Sequence, residues 1–287
     1  MSLLLALLLD ALLGEPPSGL HPVVWMGRYL DWAWRRVRGF WSGAFYWTLG
    51  AVLFTLPALL LDLLLRPWAW GWVALGLLLK PLFSLRMLLE EVAGVEKALA
   101  EGLEAGRARL SRLVSRDTQG LEEAEVREAV LESLAENLSD SFLAPLFYHA
   151  LFGLGGAAFY RYANTADAMW GYREHGARGA FAARMDDLLN LLPARLTGLF
   201  LWALCPSGPW RTPLARLFQE ARKTPSPNAG FPMAALALGL GVRLRKRGVY
   251  ALNPGAPSPG PEHLWRAVHW VGVLGYGVGL LLALKEG

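Results

Sequence analysis

AFYWTLGAVLFTLPALLLDLLL, residues 44–65, carries no charge except Asp62. About 20 apolar residues in helical form cross the hydrocarbon core of a bilayer, so this stretch is read as a transmembrane helix. Arg66-Pro67 ends it, and a second apolar run over 68–89 makes a helical hairpin with it. Tyr46, Trp47, Trp68, Trp70 and Trp72 mark interfacial belts. Asp62 and the Lys80-Pro81 pair are expensive in lipid and are expected to face protein or water.

The remainder of the chain agrees with this reading. Its 287 residues are 54% hydrophobic and 18% charged, with a mean hydropathy of +0.31, which is too apolar for an ordinary soluble enzyme. The expected fold is all-α: a polytopic integral membrane protein with about four to five transmembrane helices, re-entrant or amphipathic helices and a cytoplasmic helical face. No run alternates with period two. A last span falls near 267–284, whereas the apolar segments at 142–159, 188–204 and 229–242 are short or interrupted. Residues 3–13 are too short to cross alone and read as a packed or re-entrant half-helix, stopped by Gly14-Glu15-Pro16-Pro17. This N-terminus lacks a basic region and a cleavage site and carries Asp10, so it is expected to stay in the mature chain.

Arg28, Arg35, Arg36 and Arg38 place their loop in the cytoplasm, and the hairpin returns 90–140 to that side. Residues 206–228, with Arg211, Arg216, Arg222 and Lys223, are cytoplasmic in character. One domain is expected over 1–287, with 86–140 as a cytoplasmic helical insertion and 253–261 as a flexible loop. The net charge of +4 is spread over arginines beside Trp and Tyr, which suits phosphate ligands better than nucleic acid. Cys205 alone allows neither an internal disulfide nor a paired-cysteine zinc site.

Three polar clusters interrupt the apolar pattern. In ESLAENLSD (132–140), Glu132, Glu136 and Asp140 share about 80° of helical arc, bordered by Ser133 and Asn137, with leucines opposite. In RYANTADAMWGYRE (161–174), Asn164 and Asp167 stand on one side, with Arg161 and Arg173 near for an anionic group. In RMDDLLNLLPARLTGLFLWAL (184–204), Asp186, Asn190 and Thr197 share a stripe beside Asp187; Pro193 is expected to kink the helix, and Arg195 follows. Hard oxygen donors of this kind suit Mg²⁺, held by one or two carboxylates plus substrate phosphates. The metal-ligand candidates are therefore Glu132, Glu136, Asp140, Asp167, Asp186 and Asp187.

Other segments read two ways. Residues 86–114 form one long, solvated polar helix. Ser115-Arg116-Asp117-Thr118 serves equally as a turn and cap or as a phosphate or metal contact through Arg116 and Asp117. TPSPNAGFP (224–232) is read as irregular, with backbone N–H groups free to hold an anion, or as an ordinary loop. His21, before Pro22, reads as a turn histidine with a structural hydrogen bond. There is no G-x-x-x-x-G-K-[ST] loop, G-x-G-x-x-G turn, G-x-S-x-G elbow or H-E-x-x-H pair, so neither a standard nucleotide fold nor a zinc hydrolase is indicated.

Seven ordered motifs carry a family resemblance: LDALLGEPPSGLHPVVWMGR, VSRDTQGL, ESLAENLSD, APLFYHALFG, NTADAMWGYR, MDDLLNLLPARLT and PSPNAGFPMAALALGLGVRL. Together, from about residue 8 to 244, the chain resembles the CobD/CbiB family of cobalamin biosynthesis, the adenosylcobinamide-phosphate synthases. That resemblance implies a multi-pass ligase of the cell membrane with its active face in the cytoplasm. It would join adenosylcobyric acid to (R)-1-amino-2-propanol O-2-phosphate, or a related amino alcohol, using ATP with Mg²⁺ as cofactor. It further implies Glu136, Asp140, Asp167 and Asp186 as catalytic groups. Arg116, Arg161, Arg173, Arg195 and Lys223 are the candidate phosphate contacts. Asp117, Asn137, Asn164, Tyr172, Asn190, Ser226 and Asn228 complete the substrate-binding set. The lipid bilayer and other corrinoid-assembly membrane proteins are the implied partners.

The chain departs from the family pattern at Met233, where an acid is expected after PSPNAG, and at Leu138 and Ser141. It also has RKRGVYALNPG in place of a Gly/Tyr-rich stretch. Two other readings stay open. One is a corrinoid or cation transport or assembly protein, although paired repeats of broken spans are absent. The other is a Mg²⁺-dependent prenyltransferase, whose acid-rich clusters NTAD and DDLLN match only loosely.

Overall fold

The computed structural model describes residues 1–204 and 212–286, so Cys205 and Arg211 lie outside the described residues. The helices are α1 (Ser2–Leu13), α2 (Pro22–Trp34), α3 (Phe40–Leu65), α4 (Gly71–Leu79), α5 (Arg86–Glu101) and α6 (Leu103–Leu110). They continue as α7 (Glu123–Asn137), α8 (Ala144–Trp170), α9 (Ala180–Ala203), α10 (Leu214–Ala221), α11 (Gly230–Leu240) and α12 (Pro261–Leu284). A π-helical turn, Leu138–Leu143, follows α7. Strands β1 (Leu244–Lys246) and β2 (Tyr250–Leu252) pair as an antiparallel hairpin.

Four stretches are long and apolar enough to cross a membrane: Phe40–Leu65, Gly71–Glu101, Glu123–Trp170 and Pro261–Leu284. Ser2–Leu13, Leu191–Ala203 and Gly230–Leu240 are shorter apolar helices. The protein is thus an all-α polytopic membrane protein, with the short hairpin as its exception. Two compact units are present within the span read as one domain. Unit one comprises 1–84, 140–190 and 278 onward; unit two comprises 85–139 and 191–277.

In unit one, α1 packs against α4, and α8 packs against both α2 and α3. Gly50 permits the close approach of α3 to α8, since a Cβ there would lie 2.1 Å from the Tyr162 hydroxyl. Helix α8 breaks at Phe152 and Gly153, where Gly153 takes φ 64°. The break leaves new N–H groups without helical partners, and Asp62 Oδ2 accepts the one from Leu154 at 3.1 Å. Arg66 Nη2 donates to the same oxygen at 2.9 Å. The charge inside the apolar span is therefore a cap for another helix.

Lys80 faces protein too: its ammonium lies 3.2 Å from Asp10 Oδ1 and 2.8 Å from Glu15 Oε1. His21 Nδ1 accepts the Val23 N–H at 3.3 Å and caps α2, the structural turn role read from the sequence. Its Nε2 lies 3.0 Å from Glu15 Oε2. Burial alone would raise the Glu15 carboxyl, but hydrogen bonds from His21 and Lys80 bring it down to about 2.

In unit two, the long helix expected over 86–114 is two helices, α5 and α6, separated by Gly102 with φ 147°. Helix α7 packs against both, against α11 and against β1. Residues 85–139 thus share a compact unit with 191–277. On α7, Glu125, Arg127, Glu128 and Glu132 are all buried. Arg127 makes a two-pronged contact with Glu96, at 2.8 Å for each bond. Arg243 reaches Glu128 Oε1 through Nε at 3.0 Å and Nη2 at 2.9 Å. Arg245 and Arg247 both bond Glu125. The hairpin is thereby pinned along the helix by charge.

The segment after the hairpin, read as a flexible loop, is also tied. Asn253, with φ 48°, donates its N–H to Glu220 Oε2 at 2.8 Å and accepts from Arg216 Nη2 at 2.7 Å. The Arg243 N–H donates to Pro257 O at 2.8 Å.

Candidate functional site

Each unit contains a polar centre. In unit two, Arg116, Glu132, Ser133, Glu136, Asn137, Met233, Lys246 and Tyr250 line a cavity of about 180 Å³. One turn of α7 separates Glu132 from Glu136, so both carboxylates reach the same wall. Arg116 Nη2 donates to Glu132 Oε2 at 2.8 Å, while Glu132 Oε1 is buried without a hydrogen-bond partner. Asn137 Nδ2 donates to Ser133 O at 3.0 Å and to Ser133 Oγ at 3.2 Å, holding the amide against the helix.

The hairpin closes the far side. Lys246 and Tyr250 are register partners across it, so their side chains stand on one face. Burial, then the negative charge of Glu132, pushes the Tyr250 phenol above its ordinary range, so it remains an O–H donor. Met233, where the family pattern leads to an acid, lines this cavity as well.

A second cavity in unit two, of about 410 Å³, is lined by Arg195, Arg222, Thr224, Ser226, Phe231 and neighbours. Its backbone is less open than the sequence suggested. The N–H groups of Asn228 and Ala229 both donate to Ser226 Oγ at 3.2 Å. Gly230 and Pro232, read as barring regular structure, begin α11, because proline in a first helical turn forfeits no hydrogen bond. Arg195 Nη1 donates to Asn228 Oδ1 at 3.2 Å, and its guanidinium sits 4.6 Å from the Phe231 ring centre. Lys223 pairs with Glu220 at 2.7 Å.

In unit one, α8 and α9 bring the second and third clusters together. Asn164 Nδ2 lies 3.4 Å from Asp186 Oδ1, Asn190 Nδ2 donates to Asp186 Oδ2 at 2.9 Å, and the Tyr160 hydroxyl donates to Asn190 Oδ1 at 2.7 Å. Tyr148 stacks on Tyr160 with ring centres 5.3 Å apart. Burial, with Asp187 as a neighbouring negative charge, pushes the Asp186 carboxyl above the ordinary range. Asp167 lies in the last turn of α8 against Gly171, where a Cβ would fall 1.8 Å from its Oδ1.

Arg161 is in the same helix, and its Nε is buried without a hydrogen-bond partner. Arg173 and Tyr172 are exposed beyond the end of α8. Asp117 is exposed, and its Oδ1 accepts the Gln119 N–H at 2.9 Å, as a turn residue does.

The first cluster is divided. Glu132, Glu136 and Asn137 belong to unit two and Asp140 to unit one. The regular 100° step stops where the π-turn begins at Leu138, so the arc reckoned from Glu132 to Asp140 does not hold. Among the described residues, no three His, Cys, Asp or Glu side chains converge as a ready-made metal cage. Lys246, Tyr250, Tyr148 and Tyr160 are site residues that sequence reasoning missed. The basic run 243–247 was the one signal pointing to the hairpin.

Apolar spans, buried ion pairs and two polar centres define a polytopic helical membrane protein with charged sites. A family model described as "CobD/Cbib protein" matches residues 3–271, and the chain belongs to the CobD/CbiB family. It is 45% identical over 272 residues (93% of this chain, 91% of the relative) to "Probable cobalamin biosynthesis protein CobD" of Methanothermobacter thermautotrophicus. It is 42% identical over 275 residues (92% and 88%) to the protein of the same name in Pyrococcus abyssi. It is 36% identical over 268 residues (87% and 85%) to "Cobalamin biosynthesis protein CobD" of Dehalococcoides mccartyi. No solved structure matches this chain.

Proposed function

We propose that this protein acts in cobalamin biosynthesis as an adenosylcobinamide-phosphate synthase. In this reading it forms the amide between a propionate of adenosylcobyric acid and the amine of (R)-1-amino-2-propanol O-2-phosphate, or a related amino alcohol, at the expense of ATP. The observation that carries the reading is that residues of the family motifs build both polar centres. Arg116, Glu132, Glu136 and Asn137 supply one, and Asn164, Asp186 and Asn190 supply the other.

Amide formation from a carboxylate needs activation of a poor electrophile, a neutral amine and cations against phosphate charge. Arginines suit the last task because the guanidinium offers paired donors to a phosphate. In this reading Arg116, Arg161, Arg195 and Lys223 are the candidate phosphate contacts and Arg173 an exposed one. Mg²⁺ would be held by one or two carboxylates together with phosphate oxygens, as its small radius and retained waters favour. Asp140, Asp167, Asp186 and Asp187 in unit one and Glu132 with Glu136 in unit two are the candidate ligands. When bound, the ion supplies charge neutralisation at the transferring phosphoryl group.

The test is phosphate release by purified protein in detergent with ATP and Mg²⁺. Release that requires both the corrinoid acid and the amino-alcohol phosphate supports a ligase. Release indifferent to both, or none with all components present, overturns it.

A further inference from the structure

The cavity on α7 has an unusual charge balance. Arg116 and Lys246 bring two cations, and Glu132 and Glu136 bring two carboxylates. A lone anion entering it meets both carboxylates, and a lone cation meets both basic groups. A ligand carrying both charges meets an opposite charge on either side, with Arg116 and Glu132 already paired at 2.8 Å. The cavity volume of about 180 Å³ lies well below the roughly 300–1,000 Å³ typical of sites for larger ligands, so a whole nucleotide does not fit. Glu132 Oε1 is buried and makes no close hydrogen bond, although the Tyr250 phenol stands beside the carboxylate; a bound ammonium supplies a close donor there. The opposite wall is tied to α7, because Arg243, Arg245 and Arg247 pair the hairpin with Glu128 and Glu125.

We infer that this cavity binds a small zwitterion, an ammonium and a phosphate a few bonds apart, with Lys246 and Arg116 on the phosphate and Glu132 on the ammonium. The assignment rests on the ligase reading for what such a molecule is for: it is the amine substrate. It frees Glu132 and Glu136 from metal binding and leaves Mg²⁺ to the aspartates of unit one. Tyr250, the register partner of Lys246, adds a hydroxyl donor to the same wall.

A metal–phosphate pair presents similar chemistry, so binding is measured with and without Mg²⁺. The full-length protein in detergent is titrated calorimetrically with (R)-1-amino-2-propanol O-2-phosphate, with 1-amino-2-propanol and with isopropyl phosphate, each in EDTA and then in Mg²⁺. The first ligand is expected to bind in EDTA, and each single-charge analogue at least about 10-fold more weakly. Lys246→Met should weaken the zwitterion at least about 10-fold and Lys246→Arg should restore most of the loss, while Mg-ATP binding stays unchanged. Lys246 is exposed, so its substitution leaves the fold in place.

Strict dependence on Mg²⁺, or equal affinity in Lys246→Met, overturns the inference. Because no turnover is required, the two readings fail separately. Lys246-dependent binding without amide formation keeps the zwitterion site and removes the ligase. Amide formation with a KM for the amine unaffected by Lys246→Met keeps the ligase and removes the site.

Discussion

Asp186 has both carboxylate oxygens within reach of amides, Asn190 at 2.9 Å and Asn164 at 3.4 Å, and is held by two helices that the sequence separates. If it, Asp140 and Asp167 serve the reaction, replacing any one by Ala should lower turnover at least about 100-fold while the protein stays folded in the membrane. Wild-type rates in all three variants would remove that role. Glu15 gives a pH prediction. Its carboxyl falls from 4.5 to about 2, so its stabilising contribution is complete above about pH 4.5 and is lost as pH falls toward 2. Between about pH 5 and about pH 3 the wild-type melting temperature should therefore drop more than that of Glu15→Gln; parallel curves would contradict this. The acid-plus-amide pairs were legible residue by residue, because carboxylates beside membrane-grade segments need partners. Tyr160 and Tyr250 were not, because a tyrosine in an apolar or mixed run gives no sign of where its hydroxyl points.

Helix α7 has partners that lie far away in sequence: arginines more than 100 positions later neutralise Glu125 and Glu128. Such a pair adds little net stability but is expensive to break, about 3–5 kcal/mol when one partner is removed. Arg243→Met should lower stability by about that amount in thermal melts, and adding Glu128→Met should recover much of it. Recovery of none would mean that Arg243 acts through Ser258, to which it also bonds at 2.7 Å. The break in α8 makes a second case. Gly153 lies at positive φ, and a Cβ there would fall 1.9 Å from Asp62 Oδ2, so Gly153→Ala should be destabilising by about 1–3 kcal/mol. A neutral result would show that Asp62 is not needed as the cap. Apolar runs revealed the spans, whereas the π-turn and the break at Gly153 are set by tertiary contacts that periodicity does not carry.

For the whole molecule, hydropathy alone was enough to read a polytopic helical protein, since no soluble fold tolerates Phe40–Leu65 with so much of it exposed. The two-unit organisation was hidden because each unit is assembled from separate stretches, and α9 and α12 each pass from one unit into the other. Family membership over residues 3–271 rests on motif order, and the chemistry proposed from it rests on what the two polar centres can bind. The measurement that decides the matter is mass spectrometry of the corrinoid after incubating purified protein with adenosylcobyric acid, aminopropanol phosphate, ATP and Mg²⁺, omitting each in turn. The account predicts a corrinoid heavier by the amide-linked aminopropanol phosphate, formed only when all four are present. An unmodified corrinoid from folded, corrinoid-binding protein would contradict it and favour a role in transport or assembly.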